Sequence, residues 1–293
     1  MNRLLRNPAL WFLLPALIIF ALLGIYPTLQ ALWTSFFNYT LTDPTSREFI
    51  GLRNYGTVLT DVRFWEALGR SVLFVSVSVS VSFVVGLLVS LMLSKIRHLQ
   101  TFYQVAFLIP MVISPTVAAY NFKFMYNYNF GIFNRMLSAV GLPKIDFLSN
   151  TAYALWSTVL IDIWQWTPLV ILILLAGIET LSREPYEAAA IDGARPLRVF
   201  CSVTLPMLKP FIVIALLLRL MDSLKVYESI QLVTAGGPGT SSETLNTYLA
   251  TVGFSWFDMG HGSALGFIAM NITSMLCFIL VKYTNTFNGG DRR

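Results

Sequence analysis

"SVLFVSVSVSVSFVV", Ser71 to Val85, can be read in two ways, and the choice between them decides the fold. Serine and valine alternate with period two, the pattern of a half-buried strand. A membrane strand is viable only in a closed barrel, where every backbone group finds a partner. The apolar segments elsewhere in the chain are continuous runs of helix length that do not alternate, so Ser71–Val85 reads as helix. Its serines then become small interface residues that let another helix approach closely, with hydroxyls able to bond back to the preceding turn.

Working outward, 56% of the 293 residues are apolar and 12% are charged, which points to an integral membrane protein. The hydrocarbon core is about 30 Å thick and a helix rises about 1.5 Å per residue, so a crossing needs roughly 20 mostly uncharged residues. Six segments qualify, at residues 9–32, 71–94, 101–122, 152–178, 203–224 and 263–283. The expectation is an all-α, polytopic membrane protein with a single transmembrane domain over residues 1–293. The basic, apolar N-terminus is expected to stay as an uncleaved first helix, because its apolar run exceeds a signal peptide's and no small-x-small cleavage site follows.

Basic residues near the span ends set orientation. Arg3, Arg6, Lys95, Arg97, Arg183, Arg195, Arg198, Lys209, Lys282, Arg292 and Arg293 fall on one side. On the other are Arg47, Arg53, Arg63 and Arg70, diluted by Asp43, Glu48, Asp61 and Glu66, together with Lys123, Arg135, Lys144 and Lys225, which leaves a modest bias. Both termini are therefore expected in the cytoplasm. Aromatic clusters at Trp33–Tyr39 and Tyr126–Phe130 suit the outer interface. Cys201 and Cys277, on a cytoplasmic loop and in a span, are not expected to pair.

The same topology puts a charged insert, "EPYEAAAIDGARPLRVFCSVTLPMLKP" at Glu184–Pro210, on the cytoplasmic side. Pro185 suits a first helical turn, Gly193 a helix stop, and Pro196 a second start. Ala188, Ala189, Ala190 and Gly193 offer a narrow surface beside Glu187, Asp192, Arg195 and Arg198. Two readings stay open, a docking element for a cytosolic partner or an ordinary solvated loop.

Intramembrane charges usually face a bundle interior or a wet cavity. In the fourth span Asp162, Gln165 and Trp166 share a helical face: a carboxylate, an amide and a large ring, a set suited to a carbohydrate. The alternative is an Asp satisfied by a neighbouring helix. Tyr120, Asn121 and Met125, beyond Pro110 and Pro115 in the third span, form a second candidate wall, with packing as the alternative. Arg219, Asp222, Lys225 and Glu228 step by three with alternating sign and read as a ladder along one helix face. "TAGGPGTSS", Thr234–Ser242, reads as a flexible outer loop. The sequence presents no metal-ligand cluster or nucleophile triad, so neither a metal site nor a catalytic residue is expected.

Residues 187–210 resemble the EAA loop of binding-protein-dependent ABC importer permeases in Glu187, Ala188 and Ala189, in Asp192, Gly193 and Ala194, and in Leu205 and Pro206. "WFLLPALIIFALLGIYP", "NYGTVL", "IWQWTPLVILILLAGIETL" and "LVTAGGPGTSSETL" extend the resemblance along nearly the whole chain, nearest to the sugar-importer branch that includes maltose and glycerol-phosphate permeases. It implies the type I importer permease fold in a bacterial or archaeal cell membrane. It also implies a coupling helix, Glu187–Ala194, seated in an ATP-hydrolysing subunit. The implied partners are a second permease, two ATPase subunits and an extracytoplasmic binding protein that docks near the Thr234–Ser242 loop. The chain has no G-x-x-x-x-G-K-[ST] loop, so ATP and Mg would be held by the partner ATPase. The rival readings are an ion-coupled carrier with Asp162 as the ion site, a permease for a non-sugar solute, and a membrane-embedded enzyme.

Overall fold

A computed structural model describes residues 8–96 and 100–288. Arg3, Arg6, Arg97, Arg292 and Arg293, on which part of the expected orientation rests, lie outside the described residues. Among the described residues five helices are long and apolar enough to cross a membrane: Phe12–Thr34, Val62–Leu93, Ala154–Glu179, Pro196–Ser223 and Met259–Ile279. A sixth crossing exists if the bent pair Thr101–Val112 and Pro115–Met125 counts as one. In chain order we call these the first to sixth spans.

Ser71–Val85 lies inside the helix Val62–Leu93, as expected. Ser71, Phe74, Val75, Ser78, Ser82, Gly86 and Ser90 are buried at helical spacing. Ser76 and Ser80 are exposed, so the period-two pattern has no structural counterpart. Ser71 and Ser90 donate to the carbonyls of Ala67 and Leu87, each at 2.9 Å. At Gly86 a Cβ would lie 2.6 Å from Val170 Cγ1, so the stripe of small residues does bring the fourth span close.

The third span, expected at residues 101–122, is two helices, Thr101–Val112 and Pro115–Met125. Its halves meet at 89°. Proline disfavours α geometry in the residue before it, and Ser114, ahead of Pro115, is extended at φ −54°, ψ 136°.

Proline also accounts for two unforeseen features. π turns at Ala21–Ile25 and Phe200–Thr204 each stop two residues short of a proline, Pro27 and Pro206. The wider turn relieves the clash between a proline ring and the carbonyl four residues back. Helical structure therefore runs unbroken from Pro196 to Ser223, and the fifth span begins well before residue 203.

The chain divides into two compact units, one of residues 1–65 with 248–272 and one of 66–247 with 273–293. The first contains an antiparallel hairpin, β1 (Phe37–Thr40) and β2 (Asp43–Phe49), absent from the sequence reading. The Asn54 amide ties it down, donating to the carbonyls of Ser35 at 2.8 Å and Phe37 at 2.9 Å. Arg47 lies 4.7 Å above the Phe37 ring, and Phe37 and Tyr39 of the aromatic cluster are part of this hairpin. Arg63 lies between Tyr248 and Trp256, 5.0 and 5.1 Å from their ring centres.

The second unit is built around the fourth span. Leu155 and Val159 pack with Phe74, Val75 and Ile230, and Ile161 packs with Ala119, Phe122 and Val233. Val170 and Leu174 pack with Leu208 and Ala215. At Gly177 a Cβ would meet Phe211 Cγ at 2.5 Å, which fixes how closely the fourth and fifth spans cross. Cys201 and Cys277 are both free thiols.

Candidate functional site

In the second unit a cavity of about 230 Å³ is lined by residues of the third, fourth and fifth spans and of the helix Glu228–Val233. Asp162, Gln165 and Trp166, predicted to share a face, are together on its wall beside Asp222, Lys225 and Glu228.

The structure gives Asp162 a partner that the sequence reading missed. Arg219, fully buried, places Nη2 2.5 Å from Asp162 Oδ2. Ser78 Oγ donates to the same carboxylate oxygen and accepts from Arg219 Nη2 at 2.9 Å. Arg219 Nη1 reaches Asp222 at 3.3 Å. Asp162 is thus satisfied by a neighbouring helix while still lining the cavity. Opposite charges deep within two spans, Asp162 in the fourth and Arg219 in the fifth, were the available signal, since buried charges survive only when paired.

The expected ladder from Arg219 to Glu228 is corrected. Arg219 and Asp222 do pair along the fifth span, but that helix stops at Ser223 and a new one starts at Glu228. The four residues therefore do not share a helix face; Asp222, Lys225 and Glu228 meet instead at the cavity.

Gln165 also has structural employment. Its Nε2 donates 2.9 Å to the carbonyl of Ile113, at the break of the third span, where no helical N–H is placed to serve it. The second candidate wall is not brought to this cavity. Tyr120 and Asn121 are exposed, Met125 is half-buried, and the inward face of their helix carries Ala118, Ala119 and Phe122. The Asn121 amide bonds back to Val117 O at 3.0 Å. Just past that helix, burial pushes the Tyr126 hydroxyl above its ordinary range, so it remains a neutral donor to Ser157 O at 3.0 Å.

The charged insert folds as the prolines and glycine predict. Glu184–Ile191 is a helix with Asp192 as its C-cap, and Gly193 adopts φ +67°. Gly193 N–H donates to Ala190 O at 3.2 Å and Ala194 N–H to Ala189 O at 2.9 Å, the paired bonds of a glycine-terminated helix. Glu187, Ala188, Asp192 and Gly193 are exposed, and Ala189 and Ala194 are half-buried. Pro196 then starts the continuous helix that carries Arg219 and Asp222. Tyr186 Oη, 3.1 Å from Thr204 Oγ1, braces the two arms of the turn.

The Thr234–Ser242 loop is far more tied down than its composition suggests. Ser242 is fully buried, donates to Gly237 O at 2.7 Å, and sits 2.8 Å from Thr234 Oγ1. Ala235, Gly236 and Gly239 take positive φ, which lets the chain fold back over that hydroxyl pair.

These features can be set beside known proteins. The sulfoquinovosyl glycerol transport system permease protein SmoG of Agrobacterium fabrum is 33% identical over 281 residues, 96% of this chain and 91% of its own length. The trehalose/maltose transport system permease protein MalF of Thermococcus litoralis is 35% identical over 272 residues, 92% of this chain and 88% of its own length. A bacterial ABC transporter involved in import of the acidic polysaccharide alginate matches with TM-score 0.80 at 23% identity, over 98% of this chain and 97% of that one, which is a likeness of fold. A family model, that of the binding-protein-dependent transport system inner membrane component, matches residues 74–286. Matched by that model over most of its length, and by relatives above 30% identity along nearly all of it, the chain belongs to the binding-protein-dependent transport system inner membrane components.

Proposed function

We propose that this chain is the permease subunit of an ATP-driven importer of saccharides, working with a second permease, two ATPase subunits and an extracytoplasmic binding protein. The observation that carries the cargo class is that relatives matched over more than nine tenths of this chain are named for saccharide or saccharide-glycerol transport. ATP and Mg belong to the ATPase subunits, and both termini and the Glu184–Pro210 turn lie on their side of the membrane.

In this reading Glu187, Ala188, Ala189, Asp192, Gly193 and Ala194 form the contact with the ATPase. The exposed, narrow helix end supports that role, since small side chains allow close approach. Closure of the ATPases pulls on the turn. The continuous helix Pro196–Ser223 offers a stiff path from there to Arg219 and Asp222 at the cavity. Asp162, Gln165 and Trp166 form part of the substrate path, and we assign Tyr120, Asn121 and Met125, directed away from this chain's core, to the wall facing the second permease. Asp162 is engaged by Arg219 and Ser78, which argues against the ion-coupled carrier that would need it free.

The test is affinity purification of the tagged chain from its native membrane in mild detergent, with identification of what accompanies it. A second permease and an ATPase are expected. The chain recovered alone, even after cross-linking, would refute the proposal.

A further inference from the structure

We infer that the saccharide carried by this chain is uncharged; the inference rests on the saccharide reading above and narrows it. Four ionisable side chains line the cavity: Asp162, Asp222, Glu228 and Lys225. Arg219, behind the wall, adds a fifth charge and is bonded to two of those carboxylates. Three carboxyl groups therefore face two basic ones, so acidic groups outnumber basic ones at the cavity. Arg219 is wholly buried, so its charge is spent on Asp162 and Asp222 and offers nothing to a ligand in the cavity.

Lys225 is thus the one cation among the described lining residues that a ligand could reach. It acts on Asp222, whose like-charge neighbours are Asp162 and Glu228. A carboxylate, sulfonate or phosphate on the cargo that approached Lys225 would come to lie among Asp162, Asp222 and Glu228 on the same wall. Repulsion from those carboxylates would oppose its binding, most of all from Asp162, which is 5% exposed.

An uncharged sugar meets no such opposition. Its hydroxyls can donate to the accessible carboxylates Asp222 and Glu228, which are acceptors only. Its apolar face can lie against Trp166, half-buried on the same wall. The known proteins divide on this point. Sulfoquinovosyl glycerol bears a sulfonate and alginate a row of carboxylates, whereas trehalose and maltose carry no charge. The cavity places this chain's cargo with the last two.

The experiment measures uptake of labelled saccharides by the native host, by a strain lacking this chain, and by that strain with the full chain restored. The neutral probes are trehalose, maltose and a set of other neutral oligosaccharides; the anionic probes are sulfoquinovosyl glycerol and an alginate oligosaccharide. The expected result is loss of a neutral uptake with the deletion, its recovery with the full chain, and anionic uptake unchanged throughout. Anionic uptake lost with the deletion overturns the inference and leaves the saccharide reading standing. If no saccharide in the panel depends on the chain, the saccharide reading falls and the inference with it.

Discussion

Replacing Arg219 by methionine should be among the costliest single changes in the unit that holds the cavity. The arginine is fully buried, and its partner Asp162 is 5% exposed at 2.5 Å. Removing one partner of such a pair leaves an uncompensated buried charge, a loss of about 3–5 kcal/mol. Ser78 still donates to Asp162 in the variant, and a hydrogen bond to a charged group contributes about 1.5–3 kcal/mol, so the cost should lie near the lower end, about 3 kcal/mol. The contact with Asp222, whose side chain is 40% exposed, adds at most about 1 kcal/mol. Asp162→Asn alone strands the arginine in the same way. The double variant removes both charges and should cost far less than the sum, because exchanging a buried pair for neutral groups is often close to neutral. Equilibrium unfolding of the purified complex in mixed detergent micelles, run on both single variants and the double, gives the coupling energy directly. A coupling below about 0.5 kcal/mol, the level expected of independent sites, would refute the reasoning.

Gly177→Val should cost about 1–3 kcal/mol by overpacking, since even a Cβ there meets Phe211 at 2.5 Å and Leu208 at 2.9 Å; folded yield in detergent reads it, and undiminished yield would argue against that close crossing. Gln165→Leu should cost about 1–3 kcal/mol by leaving the Ile113 carbonyl unserved, measurable in the same unfolding titration; no change would mean the break in the third span is held by other contacts. Gly193→Ala forces a side chain to φ +67°, a local cost of about 1–2 kcal/mol, yet meets nothing within 4 Å. Assembly should therefore survive while uptake per ATP hydrolysed falls, and an unchanged ratio in reconstituted vesicles would count against the coupling role.

What the sequence by itself determined was whatever depends on solvent and on local backbone chemistry. Apolar runs of crossing length leave helices as the only way to satisfy the backbone in lipid, so Ser71–Val85 is helical despite its alternation. Pro185, Gly193 and Pro196 act on their own φ angles and N–H groups, so the turn at Glu184–Pro210 could be read residue by residue. The shared face of Asp162, Gln165 and Trp166 followed from helical periodicity alone, and the structure sets all three on one cavity wall.

Only the tertiary structure decided who pairs with whom. Arg219 bonds to Asp162, 57 residues away, and to Ser78, 141 residues away, and no local pattern encodes those separations. The ladder reading failed for the same reason, since it assumed that the helix continues past Ser223. The fold of the Thr234–Ser242 loop was hidden because glycine, proline and serine permit a flexible segment as readily as a tight one, and the choice turns on the burial of Ser242. Pro110 and Pro115 stand in the third span's sequence, but its 89° bend leaves the Ile113 carbonyl to Gln165 on another helix. Propensity and hydropathy act within a few residues or a single helix, whereas charge pairing and carbonyl rescue require surfaces that meet only once the spans have packed.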